Sequence, residues 1–398
     1  MALPRDNRNV LVLAGSQALY MTGQNINAVL TGLAGLMLAT DKALATLPFT
    51  AVIVATMCTA FPASLLMKKV GRRAGFIFGA AMGIVGGFIG AYAVYIQEFW
   101  LLVAGTFGVG IYGGFAQFFR FAAADTAKPE FKSKAISLVM AGGVLAAIFG
   151  PELAKWANNL FEPVFFLGGY IIMACLALVA CILLIFLEIP KPTEEENKAP
   201  GRPMFEIIRQ PTFIVAVLSG MIGYSTMSLL MTATPLAMQV CGFAIADTAF
   251  IIQWHGLGMF APSFFTGHLI QKYGVLNIIL IGVALLASAL ISAISGIKIE
   301  NFWLALVAVG IGWNFTFIGG STLLTECYTH AERAKAQAFN DVMVFGSVAT
   351  ASLLSGALLH LFNWNTVMAV AAPFAVILCM AVIWLKLRRR KEALIETT

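Results

Sequence analysis

The amino-acid sequence predicts an all-α integral membrane protein of about twelve transmembrane helices in two six-helix bundles that repeat in parallel. Three observations predict it. Apolar runs of spanning length fill the chain, Lys and Arg collect on one side of those runs, and the second half repeats features of the first.

Of the 398 residues, 60% are hydrophobic and 11% charged, against about 25% charged in a soluble domain. So little charge suits a chain dissolved in lipid. A helix needs roughly 20 apolar residues to cross the hydrocarbon, so the spans and short loops use nearly the whole chain and exclude a sizeable soluble catalytic domain. The expected spans are 10–38, 44–67, 74–96, 99–122, 134–155, 164–187, 212–238, 247–270, 275–296, 302–324, 335–361 and 366–386. The longer ones imply tilt or ends beyond the hydrocarbon. The first follows Arg5 and Arg8; it exceeds a signal-peptide core of about 7–15 residues and is expected to be retained.

Basic residues set the orientation. With the N-terminus inside, 22 of the 25 Lys and Arg lie in inner segments, and Lys42, Lys155 and Lys298 fall outside. This bias predicts that both termini are cytoplasmic. The net charge of +6 then anchors the chain and gives no indication of nucleic-acid binding. Cys58, Cys175, Cys181 and Cys379 lie in apolar runs, Cys327 in an inner loop and Cys241 in an outer one. They form no metal or redox spacing, and no disulfide, metal or cofactor is expected.

The one long hydrophilic stretch runs from Glu188 to Pro211 and mixes five prolines with Glu194, Glu195 and Glu196. Proline and charge together disfavour a packed element. The expected organisation is a six-helix bundle over 1–187, a cytoplasmic linker over 188–211, and a second bundle with a basic tail over 212–398. At a shift of about 203 residues, Phe99-Trp100-Leu101 matches Phe302-Trp303-Leu304, Gly71 matches Gly274, and Lys69 matches Lys272. Gly108 and Gly110 match Gly310 and Gly312 after one deletion. Matched elements cross in the same direction, which makes the repeat parallel.

The loop from Ser64 to Arg73 resembles the major facilitator superfamily signature G-x-x-x-D-[RK]-x-G-R-[RK]. Lys69, Gly71, Arg72 and Arg73 match it, Ser64 replaces the first glycine and Lys68 the aspartate. A degenerate copy keeps Gly267, Lys272 and Gly274. The resemblance implies secondary transport, with a substrate site near the midplane between two parallel halves. It also implies that the signature loop latches the inner face, with Asp341 as the acidic partner of its arginines. The alternative is that the basic cluster only fixes topology. Gly150-Pro151 resembles the glycine-proline motif of drug/proton antiporters, but Ala146, Ala154 and Lys155 replace its flanking glycines. Ala104 and Phe107 stand where that family's fourth helix carries arginine and glutamine. A simple helix kink explains the pair as well.

The family lines its cavity with helices one, four, seven and ten. In the first span Gln17, Tyr20, Gln24 and Asn27 share a helix face. Gly113, Gln117 and Arg120 share one in the fourth, beside Tyr112; Tyr224, Ser228 and Thr232 in the seventh; Asn314, Phe317 and Ser321 in the tenth, beside Trp313. Lipid cannot satisfy such stripes, so they face protein or water. They are candidate substrate contacts or interhelical hydrogen-bond glue. Gln253 and His255 lie deep in the eighth span; His255 is a candidate proton acceptor or a neutral bonded ring. Asp247 is expected to cap that helix. Glu152 and Asp341 complete the proton-coupling candidates; the alternative for Glu152 is a surface pair with Lys155.

The four histidines are scattered, and neither H-x-x-x-H nor G-x-S-x-G occurs, so no enzyme is expected. The expected activity is alternating-access transport of a small organic solute, neutral or weakly charged, with flat vitamin-like heterocycles such as riboflavin conceivable. Uptake, with or without proton coupling, is the first reading; drug or metabolite efflux by proton antiport and a non-transporting receptor are the others. The expected setting is a multi-pass monomer in the lipid bilayer of a bacterial inner membrane.

Overall fold

Lipid offers the backbone no hydrogen bonds, so a spanning chain satisfies its N–H and C=O groups within helices. The computed structural model describes residues 5–41, 44–158, 160–190, 201–329, 331–362 and 364–396, and the regular structure among them is all helical. Most of the proline-rich stretch, 191–200, lies outside the described residues, as do Lys42 and His330.

The first half contains α1 (Arg5–Leu38), α2 (Leu47–Val70), α3 (Arg72–Tyr95), α4 (Phe99–Ala116), α5 (Phe119–Thr126), α6 (Lys132–Asn158) and α7 (Leu167–Ile185). The second contains α8 (Met204–Ile208), α9 (Pro211–Val240), α10 (Ile245–Phe260), α11 (Ser263–Tyr273), α12 (Val275–Ile294), α13 (Ile299–Leu324), α14 (Arg333–Leu361) and α15 (Trp364–Glu396). Among the described residues, nine helical stretches are long and apolar enough to cross a membrane. The other three expected spans fall on α1, on α10 with α11, and on α14. α1 carries Gln17, Gln24, Asn25 and Asn27, and α14 opens with Arg333, Lys335, Gln337, Asn340 and Asp341.

Two expected spans are broken. The fourth, expected over 99–122, breaks at Gln117–Phe118 and resumes as α5 to Thr126. The eighth, expected over 247–270, breaks at Ala261–Pro262. Pro262 has no N–H to donate and its ring crowds the preceding turn, which accounts for the second break.

The chain forms two compact units. Unit 1 holds residues 1–128, 138–200 and 333–342; unit 2 holds 129–137, 201–332 and 343–398. Each unit therefore includes the opening turns of a helix whose remainder belongs to the other.

Within unit 1, α3 packs on α4 and α7, α4 on α2, and α7 on α1. Within unit 2 the corresponding pairs recur: α12 with α13 and α15, α13 with α10, and α15 with α9. The repeat read from sequence is thus a repeat of packing. Gly71 (φ 90°) and Gly274 (φ 84°) each join two helices with the same left-handed backbone, which a residue with a Cβ adopts only under strain. The α3–α4 seam needs glycine for a different reason. A Cβ on Gly86 would lie 2.6 Å from the Gly105 carbonyl oxygen.

Candidate functional site

In unit 1 the α1 stripe divides. Tyr20 meets Tyr112 of α4 edge to face, ring centroids 5.1 Å apart. With Gln24 they line a cavity of about 20 Å³ closed by Gly83, Met173 and Ala177. That volume admits about one water. Tyr112 Oη is buried and has no hydrogen-bond partner among the described residues. Gln24 is half-buried and Gln17 is buried. Asn27 is turned to packing instead: its Oδ1 accepts from Thr31 at 2.6 Å, and Thr31 Oγ1 lies 2.9 Å from the Tyr170 hydroxyl of α7.

Gln117 and Asn314, on matching helices of the two halves, both serve helix breaks. Arg120 Nη1 donates to the Gln117 carbonyl at 2.7 Å and to its Oε1 at 3.1 Å. In unit 2, Asn314 Nδ2 donates to the Met259 carbonyl at 2.7 Å and to Ser263 Oγ at 2.6 Å. Its Oδ1 accepts from Thr266 at 2.7 Å. Asn314 thus staples the two sides of the Pro262 break, and its side chain is fully buried.

The remaining unit 2 candidates form an aromatic cluster. Trp313 stacks on Phe317, with an interplanar angle of 12° and centroids 5.1 Å apart. Tyr224 of α9 stands edge-on to Trp313 at 5.3 Å, to Phe317 at 5.4 Å and to Phe345 of α14 at 5.6 Å. Trp313 is buried, whereas Tyr224 and Ser228 are half-exposed on α9. His255 is buried; its Nδ1 donates to the Leu306 carbonyl at 2.7 Å, and Nε2 has no partner among the described residues. Gln253 is exposed. Asp247 accepts from Ala244 N at 3.2 Å, in the first turn of α10. Glu152 bonds to Lys155 at 2.9 Å on an exposed surface.

The signature loop behaves differently from its sequence expectation. Lys69 and Arg73 are exposed, while Arg72 is buried. Arg72 Nη2 donates to Asp125, closing an ion pair in which both side chains are over nine-tenths buried. The same Nη2 donates to Gln337 Oε1 at 2.8 Å. Asp341, expected to receive the loop arginines, instead takes Arg120 at 2.5 Å, with side-chain exposures of 0% and 2%. Asn340 Nδ2 adds a bond to the same Oδ1 at 2.9 Å. Gln337, Asn340 and Asp341 all lie in the 333–342 segment that belongs to unit 1. The reason for the altered pairing is position. Arg120 is carried into the unit interior by α5, beyond the Gln117 break, rather than left at a membrane edge.

Asp125, Gln337 and Arg120 had no assigned role in the latch expectation. The available signal was Asp125 itself, a single acidic residue closing a long apolar run.

In unit 2, Arg202 holds the loop before α14. Its Nε donates to Glu332 Oε1 at 2.8 Å, and Nη2 donates to Oε2 at 2.7 Å and to the Cys327 carbonyl at 3.0 Å. These bonds hold the Glu332 carboxyl well below the usual carboxylate range. Burial pushes the Cys327 thiol up to about 12.

A sequence profile of the Major Facilitator Superfamily matches residues 13–253 and again 226–397. The chain belongs to the Major Facilitator Superfamily. It is a multi-pass membrane protein of that superfamily of transporters. The riboflavin transporter RfnT of Brucella anthropi is 40% identical over 94% of this chain and 95% of its own length. The uncharacterised transporter YddS of Bacillus subtilis is 28% identical over 82% and 79%. Among solved structures, the proton:xylose symporter XylE superposes with a TM-score of 0.79 at 12% identity, covering 94% of each chain. The superfamily transporter FucP, solved in its outward conformation, gives 0.76 at 16% identity, covering 94% and 98%. The duplicated profile match is the sequence counterpart of the repeated packing in units 1 and 2.

Proposed function

We propose that this chain takes up riboflavin, or a heterocycle of closely similar shape and polarity, by alternating access. The observation that carries the reading is the full-length 40% identity to a riboflavin transporter. The chemistry of the candidate residues supports it. A flat, largely neutral ring system with amide and hydroxyl edges wants aromatic faces beside donors and acceptors. Tyr224 with its aromatic neighbours supplies the first; Tyr20, Gln24, Tyr112 and Ser228 supply the second. Gln17 and Gln253 are further candidates. His255 is the proposed proton-coupling residue, because Glu152 is spent on Lys155 at the surface and Asp341 on Arg120.

In this reading residues 1–187 and 212–398 are the two moving bundles, joined by 188–211, with both termini in the cytosol of a bacterial cell and the monomer as the working form. Lys69, Gly71, Arg72 and Arg73 with Asp125, Gln337, Arg120 and Asp341 form the latch. Proteoliposomes loaded with buffer and given labelled riboflavin test the proposal. Saturable accumulation, competed by unlabelled riboflavin and absent from empty vesicles, is expected. An imposed pH gradient separates coupled from passive movement, and loaded vesicles that empty without ever filling indicate export. No movement of riboflavin in either direction overturns the reading.

A further inference from the structure

One recurring pair packs differently in the two units. In unit 1, α3 and α7 close on each other: a Cβ on Gly87 would lie 2.9 Å from Ala174 Cβ, and one on Gly90 2.7 Å from the Tyr170 ring. In unit 2 the corresponding helices α12 and α15 leave an apolar groove of about 730 Å³ between them. It runs from Leu280 to Ile294 on α12 and from Asn365 to Cys379 on α15. At 1.5 Å per residue the 280–294 stretch is about 21 Å long. That exceeds the ~15 Å of one leaflet and falls short of the ~30 Å core, so the groove takes a tilted chain from one side.

Beyond the Leu280 and Cys379 end of this groove, about 10 Å further along α15, the helix face becomes basic. The α15 face that lines it continues through Cys379 to Lys386 and Arg390 at helical spacing. On α12 the groove face continues back from Leu280 to Asn277, and Lys386 Nζ donates to Asn277 Oδ1 at 2.6 Å. Neighbouring cations are engaged elsewhere, Arg388 with Glu392 at 2.8 Å and Arg389 with Glu326 at 2.7 Å. Arg390 is exposed and has no hydrogen-bond or ion-pair partner among the described residues. Trp384, half-exposed one turn before Arg388, marks headgroup depth.

We propose that this groove is a binding site for one anionic phospholipid, its acyl chain lying between α12 and α15 and its phosphate held by Lys386 and Arg390. A packed helix from a second copy fits poorly, since a cylinder about 10 Å wide and that long occupies on the order of 1,600 Å³. A zwitterionic lipid fills the groove equally well but leaves the cations at its mouth without a net negative partner.

The test uses the full-length protein, purified in detergent and equilibrated with equal palmitoyl-oleoyl phosphatidylglycerol and phosphatidylcholine. Retained lipid is counted by native mass spectrometry after delipidating washes. The intact protein is expected to keep about one phosphatidylglycerol, strongly preferred over phosphatidylcholine. The double variant K386Q/R390Q is expected to lose that preference by about tenfold or more, at roughly the attraction of two surface cations. Ala287→Leu with Ala372→Leu fills the groove and is expected to lose both lipids. Equal retention of the two lipids by the intact protein overturns the proposal, as does undiminished phosphatidylglycerol in K386Q/R390Q. A concentration-dependent dimer abolished by groove filling, with lipid unchanged, overturns it in favour of a second copy. If the groove-filled protein does not survive purification, K386Q/R390Q decides alone, because both side chains are exposed and outside the core.

Discussion

Arg120 and Asp341 stand 221 positions apart in sequence and share a hydrogen-bonded ion pair at 2.5 Å, with almost no solvent at either side chain. Removing one partner of such a pair strands a buried charge and costs about 3–5 kcal/mol. Arg120→Gln and Asp341→Leu are each expected to lower transport at least tenfold and to lower the unfolding temperature. Asp341→Asn is milder for stability because Asn340 and Arg120 keep a neutral acceptor. The combination of Arg120→Leu with Asp341→Leu is expected to recover stability without recovering transport. A double-mutant cycle on thermal unfolding, run beside riboflavin uptake, measures both; additive losses of stability sink the coupling.

Arg72 divides one guanidinium nitrogen between Asp125 and Gln337. A lysine there keeps the charge and loses the planar fork. Arg72→Lys is therefore expected to retain membrane insertion and most stability while transport falls several-fold. Arg72→Ala is expected to lose nearly all transport with insertion still normal. Lys69→Ala and Arg73→Ala, at exposed positions of the same latch, are expected to lower uptake about twofold, well short of the loss in Arg72→Ala. If all three substitutions are alike, the deep arginine has no special part in the latch.

The all-helical membrane fold, the repeat and the loop glycines were legible because each is written in local pattern. A spanning run needs only hydropathy, and Gly71 and Gly274 announce the same left-handed junction in both halves. The polar residues of helices four and ten were legible as important but not as to role. Gln117 and Asn314 read equally as cavity amides or as interhelical glue, because a stripe shows that a side chain avoids lipid, not what it meets instead. What they meet depends on breaks that sequence hid: Pro262 was visible, but its need for a partner from α13 is a tertiary fact. Arg120 read as one more member of the fourth-span stripe for the same reason, since it is the break at Gln117 that turns an edge position into an interior one.

That difference in role predicts opposite kinetics. Asn314 makes three hydrogen bonds across the Pro262 break. Asn314→Ala leaves buried groups unsatisfied at about 1–3 kcal/mol each, so a clear fall in unfolding temperature is expected. Gln24, half-buried beside the Tyr20–Tyr112 cavity, makes no hydrogen bond among the described residues. Gln24→Ala is expected to leave stability within about 0.5 kcal/mol and to raise KM for riboflavin several-fold. A Gln24 variant with normal KM removes it from the solute site.

Tyr224 and Trp313 separate in the same way. Trp313 is buried and stacked on Phe317, so Trp313→Ala is expected to cost about 3–5 kcal/mol through the cavity it leaves. Tyr224 is half-exposed and edge-on to three rings. Tyr224→Phe is expected to preserve the cluster and change uptake modestly, while Tyr224→Leu raises KM about tenfold, near the value of a lost aromatic contact. Uptake kinetics for the pair, normalised to folded protein, check both.

Glu332 offers a pH test, because Arg202 holds its carboxyl below the ordinary range. A carboxylate lowered on folding stabilises the protein fully above its unfolded value of about 4.3. That contribution drains away as the pH falls from there through the lower folded value. The difference in unfolding temperature between the intact protein and Glu332→Gln is therefore expected to be constant from about pH 8 to 5 and to shrink below that. The Cys327 thiol reports the same clamp. Buried and raised to about 12, it is almost wholly protonated at neutral pH and a poor nucleophile. In a background where Cys327 is the sole cysteine, alkylation at pH 7.5 is expected to be slow and to quicken about tenfold or more in Arg202→Ala. Equal alkylation rates in the two proteins would show that Arg202 does not hold this loop closed.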